Sequence, residues 1–322
     1  MQDAKEFTRL AIVFSKGRGP GSGAGISLRV SLSCHPEWSR ASTGPVDLNR
    51  YPSLVEGMIS MKTLLLIHGM FMTPESWKAW IPFFENRGYR VIAPAWPLHD
   101  RPVADMVRAH PDTALGKLEY GDVVASYNRV LDTLGEPPIV IGHSMGGLVA
   151  QTLLAQGRVA AAVALEPAPP VGVKSLAWSH VRSNFPLVNP FVSGKTPLRM
   201  DLDKFSYVFV NGMTDSARAA AWSTFAVPES RLVARTSGDK KWRIDFAKAH
   251  APLLFVSGGE DNCIPASLVR KARDRYVAAG SGADLREFAD RNHFITGKPG
   301  WEKVAASVAG WIDSVVAEKS TR

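Results

Sequence analysis

A serine hydroxyl attacks a carbonyl at neutral pH only when a base takes its proton and a carboxylate holds that base in the right tautomer. Ser144 sits in Gly142-His143-Ser144-Met145-Gly146-Gly147, with glycines on both sides. Upstream, Pro138-Ile139-Val140-Ile141 reads as a strand; downstream, Leu148-Val149-Ala150-Gln151-Thr152-Leu153-Leu154 reads as a helix. The serine therefore occupies a sharp strand-to-helix turn, at a helix N-terminus where an oxyanion is favoured, and a side chain at 142 or 146 would collide across that turn. Among eight histidines, His293 is the candidate base. It follows the strand-like Leu285-Arg286-Glu287-Phe288 by a short polar loop and precedes the last helix, a place from which it could reach the serine. His68 and His143 read as structural, and His35, His99, His110, His180 and His250 lack a comparable context.

The candidate carboxylate is Asp261, at the end of a strand, Leu253-Leu254-Phe255-Val256, that runs into Ser257-Gly258-Gly259-Glu260. Glu166 ends the strand after the serine helix and is the alternative acid. Glu260 reads as solvated and Asp290 as a loop cap. His68-Gly69-Met70 follows the first strong strand, so the amides of Met70 and Met145 are the candidate oxyanion donors.

These groups need a frame, and from Thr63 onward the chain alternates short β-branched or leucine-rich runs with helical periodicity. Strands are expected at 63–67, 90–93, 139–141, 161–165, 253–256 and 284–288. Helices are expected at 74–87, 122–134, 145–156, 267–279 and 301–317. For the first helix Thr73 would be N-cap, Pro74 the first residue and Gly88 the stop. Such alternation makes a mostly parallel sheet flanked by helices. Between Pro167 and Ala251 the alternation lapses and many aromatics appear, so residues 167–251 are expected to form a mainly helical cap over the carboxyl ends of the strands, with residues 61–166 and 252–322 as the core.

Residues 1–60 are rich in Gly, Ser, Pro and Arg and weakly periodic, and are expected to be an irregular or disordered N-terminal extension. Met58 and Met61 stand just before the first convincing strand, so the natural start is expected there, with residues 1–57 dispensable. Gly19-Pro20-Gly21-Ser22-Gly23-Ala24 loosely matches a dinucleotide-binding pattern. It is followed by strand-like alternation at 25–30 rather than a helix, which argues against that reading.

The chain has 322 residues, 45% of them hydrophobic, enough for a sizeable core. Its net charge of +8 comes from 38 basic residues scattered among 30 acidic ones, without the clustering that a nucleic-acid footprint needs. Two cysteines make no disulfide framework, so a reducing, cytoplasmic setting is expected. No apolar run is long enough for a membrane span. Histidine pairs at ligand spacing, Cys-x-x-Cys and a lysine-bearing phosphate loop are all missing, so neither metal nor cofactor is expected.

Leu66-Ile67-His68-Gly69, Gly142-His143-Ser144-Met145-Gly146-Gly147, Gly258-Gly259-Glu260-Asp261 and Asn292-His293-Phe294 resemble the landmarks of α/β-hydrolase esterases and lipases. The resemblance runs from about residue 61 to 317. It implies the α/β-hydrolase fold with a helical cap insertion, the chain order Ser144, Asp261, His293 for the triad, and acyl-enzyme chemistry on a small-molecule ester. The single glycine of His68-Gly69-Met70 is similar to the subgroup that favours short or medium acyl esters. Serine at 144 argues against the dehalogenase and epoxide-hydrolase branches, which place aspartate there. A lactonase using the same triad, with Glu166 as acid, and a ligand-binding member that has lost turnover are the alternatives.

Overall fold

The computed structural model describes residues 10–14, 28–32 and 62–320. The chain divides into two units, residues 1–61 and 62–322. In the first, β1 (Leu10–Phe14) and β2 (Leu28–Leu32) pair antiparallel, Leu10 opposite Leu32. The second strand overlaps the expected alternation at 25–30, while the glycine-rich stretch at 19–24 lies outside the described residues, as does most of the expected extension.

The second unit is built on a six-stranded parallel sheet in the order β4-β3-β5-β6-β7-β8. Its strands are β3 (Thr63–Ile67), β4 (Arg90–Ile92), β5 (Ile139–His143), β6 (Ala161–Leu165), β7 (Leu253–Gly258) and β8 (Asp284–Phe288). Leu64 and Leu66 point into one apolar layer and Leu65 and Ile67 into the other, and β5 does the same with Ile139 and Ile141 against Val140. Both faces are thus covered, which is why these strands read as continuous apolar runs. The chain leaves β3 to one side for β4 and returns on the other for β5. This reversal makes the carboxyl ends of β3 and β5 a topological switch point, where open sheets of this kind leave a crevice.

One element departs from expectation. The helix expected at 74–87 is a short 3-10 turn, Pro74–Trp77, followed by α1 (Trp80–Glu85). Thr73 caps the turn through the Glu75 amide, and Gly88 stops the segment at φ +82°. Pro82 supplies the physical reason for the break: it has no N–H to give the carbonyl four residues earlier, so it is tolerated only near a helix start. A further short helix, α2 (Val103–Arg108), was not expected.

The remaining helices are α3 (Tyr120–Asp132), α4 (Met145–Ala155), α5 (Trp178–Val188), α6 (Leu202–Val208), α7 (Asp215–Phe225), α8 (Arg231–Thr236), α9 (Ala266–Ala278) and α10 (Trp301–Ser320). A capping box between Glu119 and Asp122 starts α3, whose Tyr120, Val123, Val124, Tyr127 and Leu131 are buried. Helices α5 to α8 all fall between β6 and β7. Among the described residues no helix is long and apolar enough to cross a membrane.

Candidate active site

Ser144 stands between β5 and α4 with φ +55° and ψ −120°, a backbone region that L-residues rarely enter. Four backbone bonds hold it there: its amide donates to Leu165 O at 2.9 Å, and its carbonyl accepts from the amides of Gly147, Leu148 and Ala168. The flanking glycines are required by close approach. A Cβ on Gly142 would lie 2.1 Å from Gly146 O, and one on Gly146 would lie 2.4 Å from Ile67 O. The turn thus presses against β3 and presents one largely buried hydroxyl to the pocket at the switch point.

The structure brings Ser144, His293 and Asp261 into one line. His293 Nε2 is 2.9 Å from Ser144 Oγ, and His293 Nδ1 is 2.6 Å from Asp261 Oδ2. Asp261 Oδ1 meanwhile accepts from the amides of Cys263 and Ile264, at 2.7 and 2.8 Å, which fixes the carboxylate plane. Burial, the largest single influence, works to lower the pKa of His293, but the charge and hydrogen bond of Asp261 together with the nearby Cys263 outweigh it and raise the pKa well above the ordinary imidazole value.

Glu166 lies in the same buried group. Its Oε2 is 3.5 Å from His293 Nδ1 and 3.7 Å from His143 Nε2, and neither of its oxygens has a hydrogen-bond partner. Burial, then the Asp261 charge, push its pKa well above the ordinary carboxylate range, which favours the neutral acid. Of the two carboxyl groups, Asp261 alone makes a short contact with the imidazole. Asp290 pairs with Arg291, and Glu260, half exposed, pairs with Lys298 at 2.7 Å.

His143 and His68 have assigned tautomers. His143 Nε2 is 2.9 Å from the His293 carbonyl and must donate to it, and burial keeps its pKa well below the ordinary value. His68 Nδ1 donates to Gly69 O at 2.9 Å while its Nε2 accepts from the Trp96 amide at 3.2 Å. Burial, then the charge of His99, keep it neutral.

Met70 and Met145 line the same pocket as Ser144 and His293, and neither amide donates to a backbone acceptor among the described residues. Phe71, the residue after Met70, has φ +62°. It is held at both ends by the segment that follows α7: its amide donates to Glu229 Oε2 at 3.3 Å and its carbonyl accepts from the Val227 amide at 3.1 Å. Glu229 is fully buried and Oε2 also contacts His99 Nε2 at 3.2 Å, as an ion contact without hydrogen-bond alignment. Burial, the largest single influence, opposes protonation of His99, but Glu229 and the Pro97 carbonyl together outweigh it and the pKa is raised. Neither residue was singled out in the sequence. The one signal present was an acid directly after an apolar run, Ala226-Val227-Pro228-Glu229.

The pocket encloses about 430 Å³, counting space open to solvent, and is mainly apolar. Leu187, Met200, Val208 and Phe209 line it from the 167–251 segment, and the Phe209 ring packs 5.1 Å from that of His293. His143, Glu166 and His293 are close enough to surround a metal ion. Their donor atoms do not suit one: His143 Nε2 carries the proton given to the His293 carbonyl, and His293 Nδ1 is committed to Asp261.

The family model for the alpha/beta hydrolase family matches residues 64–305. The chain belongs to that family. This alpha/beta hydrolase is 37% identical over 116 residues to a non-heme chloroperoxidase of Streptomyces lividans, a match spanning 34% of the chain and 37% of that relative. Among solved structures it resembles a monoacylglycerol lipase of Paleococcus ferrophilus, with TM-score 0.57 and 19% identity over 79% of this chain and 94% of that one. It also resembles a pyrethroid hydrolase from Sphingobium faniae, with TM-score 0.56 and 18% identity over 79% and 98% of the two chains. At such identities the two structures speak to the fold of this alpha/beta hydrolase and to nothing finer.

Proposed function

We propose that the chain is a serine hydrolase that cleaves carboxylic esters of small to medium apolar substrates through an acyl-enzyme. The observation that carries this reading is the hydrogen-bonded line Ser144 Oγ, His293, Asp261, with contacts of 2.9 and 2.6 Å. Ser144 Oγ attacks the ester carbonyl as His293 Nε2 takes the hydroxyl proton, and Asp261 stabilises the imidazolium that results. The tetrahedral oxyanion is received by the amides of Met70 and Met145, donors that need not reorganise as charge develops. His293 returns its proton to the departing alkoxide; water then repeats the sequence on the acyl-enzyme.

In this reading residues 167–251 are the cap, whose apolar side chains complete the acyl site. Glu229 and His99 are positioning residues that hold the Met70–Phe71 turn. Ser144→Ala tests the reading: turnover of p-nitrophenyl butyrate should fall by at least about 10⁴-fold with the fold intact, and a fluorophosphonate should label wild type at Ser144. Undiminished turnover, or no labelling, rejects it.

A further inference from the structure

Helix α5 carries the pocket-lining Leu187 on its inner face, where Ser183 Oγ donates to Asn262 O at 3.0 Å. Its outer face is apolar and open to solvent. Trp178 is 74% exposed, Phe185 49% and Val188 51%, and with Val181 they recur at spacings of three and four, one stripe of a helix. Leu176 and Phe191, just before and after the helix, are 94% and 93% exposed. Single exposed apolar side chains are ordinary; a stripe of four on one helix, with two more exposed apolar residues beside its ends, marks an interaction surface.

The stretch that carries the stripe is one-sided in charge, the acids nearest it in sequence being Glu166 before it and Asp201 and Asp203 at the start of α6, which packs against α5. From Pro167 to Met200 there is no Asp or Glu, while Lys174, Arg182, Lys195 and Arg199 give four positive charges. A two-fold contact between copies of this face would bring these cations together with no acid of the same stretch to pair them. A protein groove of matching shape is not demanded either, since the apolar residues project from a convex helix rather than lining a cleft. Apolar side chains and a tryptophan on one helix, with a basic residue on it and others in the flanking loops, are what binds in the plane of a lipid headgroup layer.

We propose that the outer face of α5, with Leu176 and Phe191, docks on an anionic lipid surface. The aromatic and aliphatic tips enter the boundary between headgroups and acyl chains, and Lys174, Arg182 and Lys195 face the phosphates. This surface is distinct from the Ser144 site, and its test reads binding, not turnover.

The full chain should co-sediment with phosphatidylcholine vesicles containing 30% phosphatidylglycerol and at least tenfold more weakly with phosphatidylcholine alone; 0.5 M salt should reduce the former. Trp178→Ser/Phe185→Ser/Phe191→Ser, a set of exposed positions, should bind at least tenfold more weakly with an unchanged melting temperature. Lys174→Glu/Lys195→Glu should lose only the preference for anionic vesicles. Absent binding, equal binding to both vesicles, or binding unaltered in the triple variant overturns the proposal. So does self-association that the triple variant abolishes while vesicles bind nothing, which would give the face to a second copy.

Discussion

Glu229 and Phe71 are 158 positions apart, yet the carboxylate of one meets the backbone amide of the other at 3.3 Å, immediately beyond the Met70 amide. Phe71 at φ +62° is strained for a bulky residue, and such a conformation persists only where its surroundings enforce it. Glu229 Oε2, bound also to His99, and the Val227 amide supply that enforcement from outside the sheet.

Glu229→Gln keeps the shape but removes the charge that faces His99. The turn should relax and the Met70 donor should drift from the oxyanion position. On p-nitrophenyl butyrate we expect kcat to fall about 10- to 100-fold with KM changed less than about threefold, less than outright loss of a donor. Amide exchange in residues 68–73 should quicken, a readout that needs no turnover. Equal kcat and unchanged exchange would leave Glu229 a fold residue only. Removing one partner of a buried pair also costs about 3–5 kcal/mol, so the kinetics belong well below the melting temperature.

Asp261→Asn and Glu166→Gln should behave very differently in the same assay. Asp261 makes the 2.6 Å contact to His293, and its amide replacement favours the wrong tautomer, with an expected loss of about 10⁴-fold in kcat. Glu166, whose raised pKa favours the neutral acid and which makes no hydrogen bond to His293, is replaced by a neutral isostere, so its variant should lose less than about tenfold. The reverse order would give the acid's role to Glu166.

What was legible in the chain was local. The glycines around Ser144 announce a turn because each excludes a Cβ from a particular carbonyl, and β6 and β8 run where their patterns place them, at Ala161–Leu165 and Asp284–Phe288. The break before α1 was also written locally, in Pro82, but the capping signals at Thr73 and Pro74 outweighed it in the reading. His99 and Glu229 were not legible: their meaning lies in a contact across 130 positions, and neither stands in a pattern of its own. The distinction between Asp261 and Glu166 likewise depends on under an ångström of placement, 2.6 against 3.5 Å, which periodicity does not carry.

The pH dependence of kcat/KM follows from His293. Only the neutral imidazole can take the Ser144 proton, so activity should rise with pH as His293 deprotonates. Because Asp261 raises its pKa well above the ordinary value, the midpoint should lie on the alkaline side of about 6.5. In Asp261→Asn the remaining activity should show the midpoint moved to lower pH. A wild-type midpoint below that of free imidazole would show that burial, not the carboxylate, governs this histidine.

Stability should follow a different pair. His68 and His143 are buried as neutral rings with pKa values well below 6.5, so below that pH the unfolded chain binds protons that the folded chain refuses. Their contribution is fully present above about pH 6.5 and is lost as the pH falls toward their folded values, at up to about 1.4 kcal/mol per pH unit for each ring. His99 runs the opposite way: its raised pKa stabilises the fold below about pH 6.5 and that share is lost as pH rises through the folded value. Glu166 and His293, whose pKa values are raised, oppose this dependence, so the test by urea unfolding is a difference: between about pH 5 and 6.5 a His143→Gln variant, which retains a side-chain donor for the His293 carbonyl, should lose less stability on acidification than wild type. An equal loss would mean that His143 can be protonated in place.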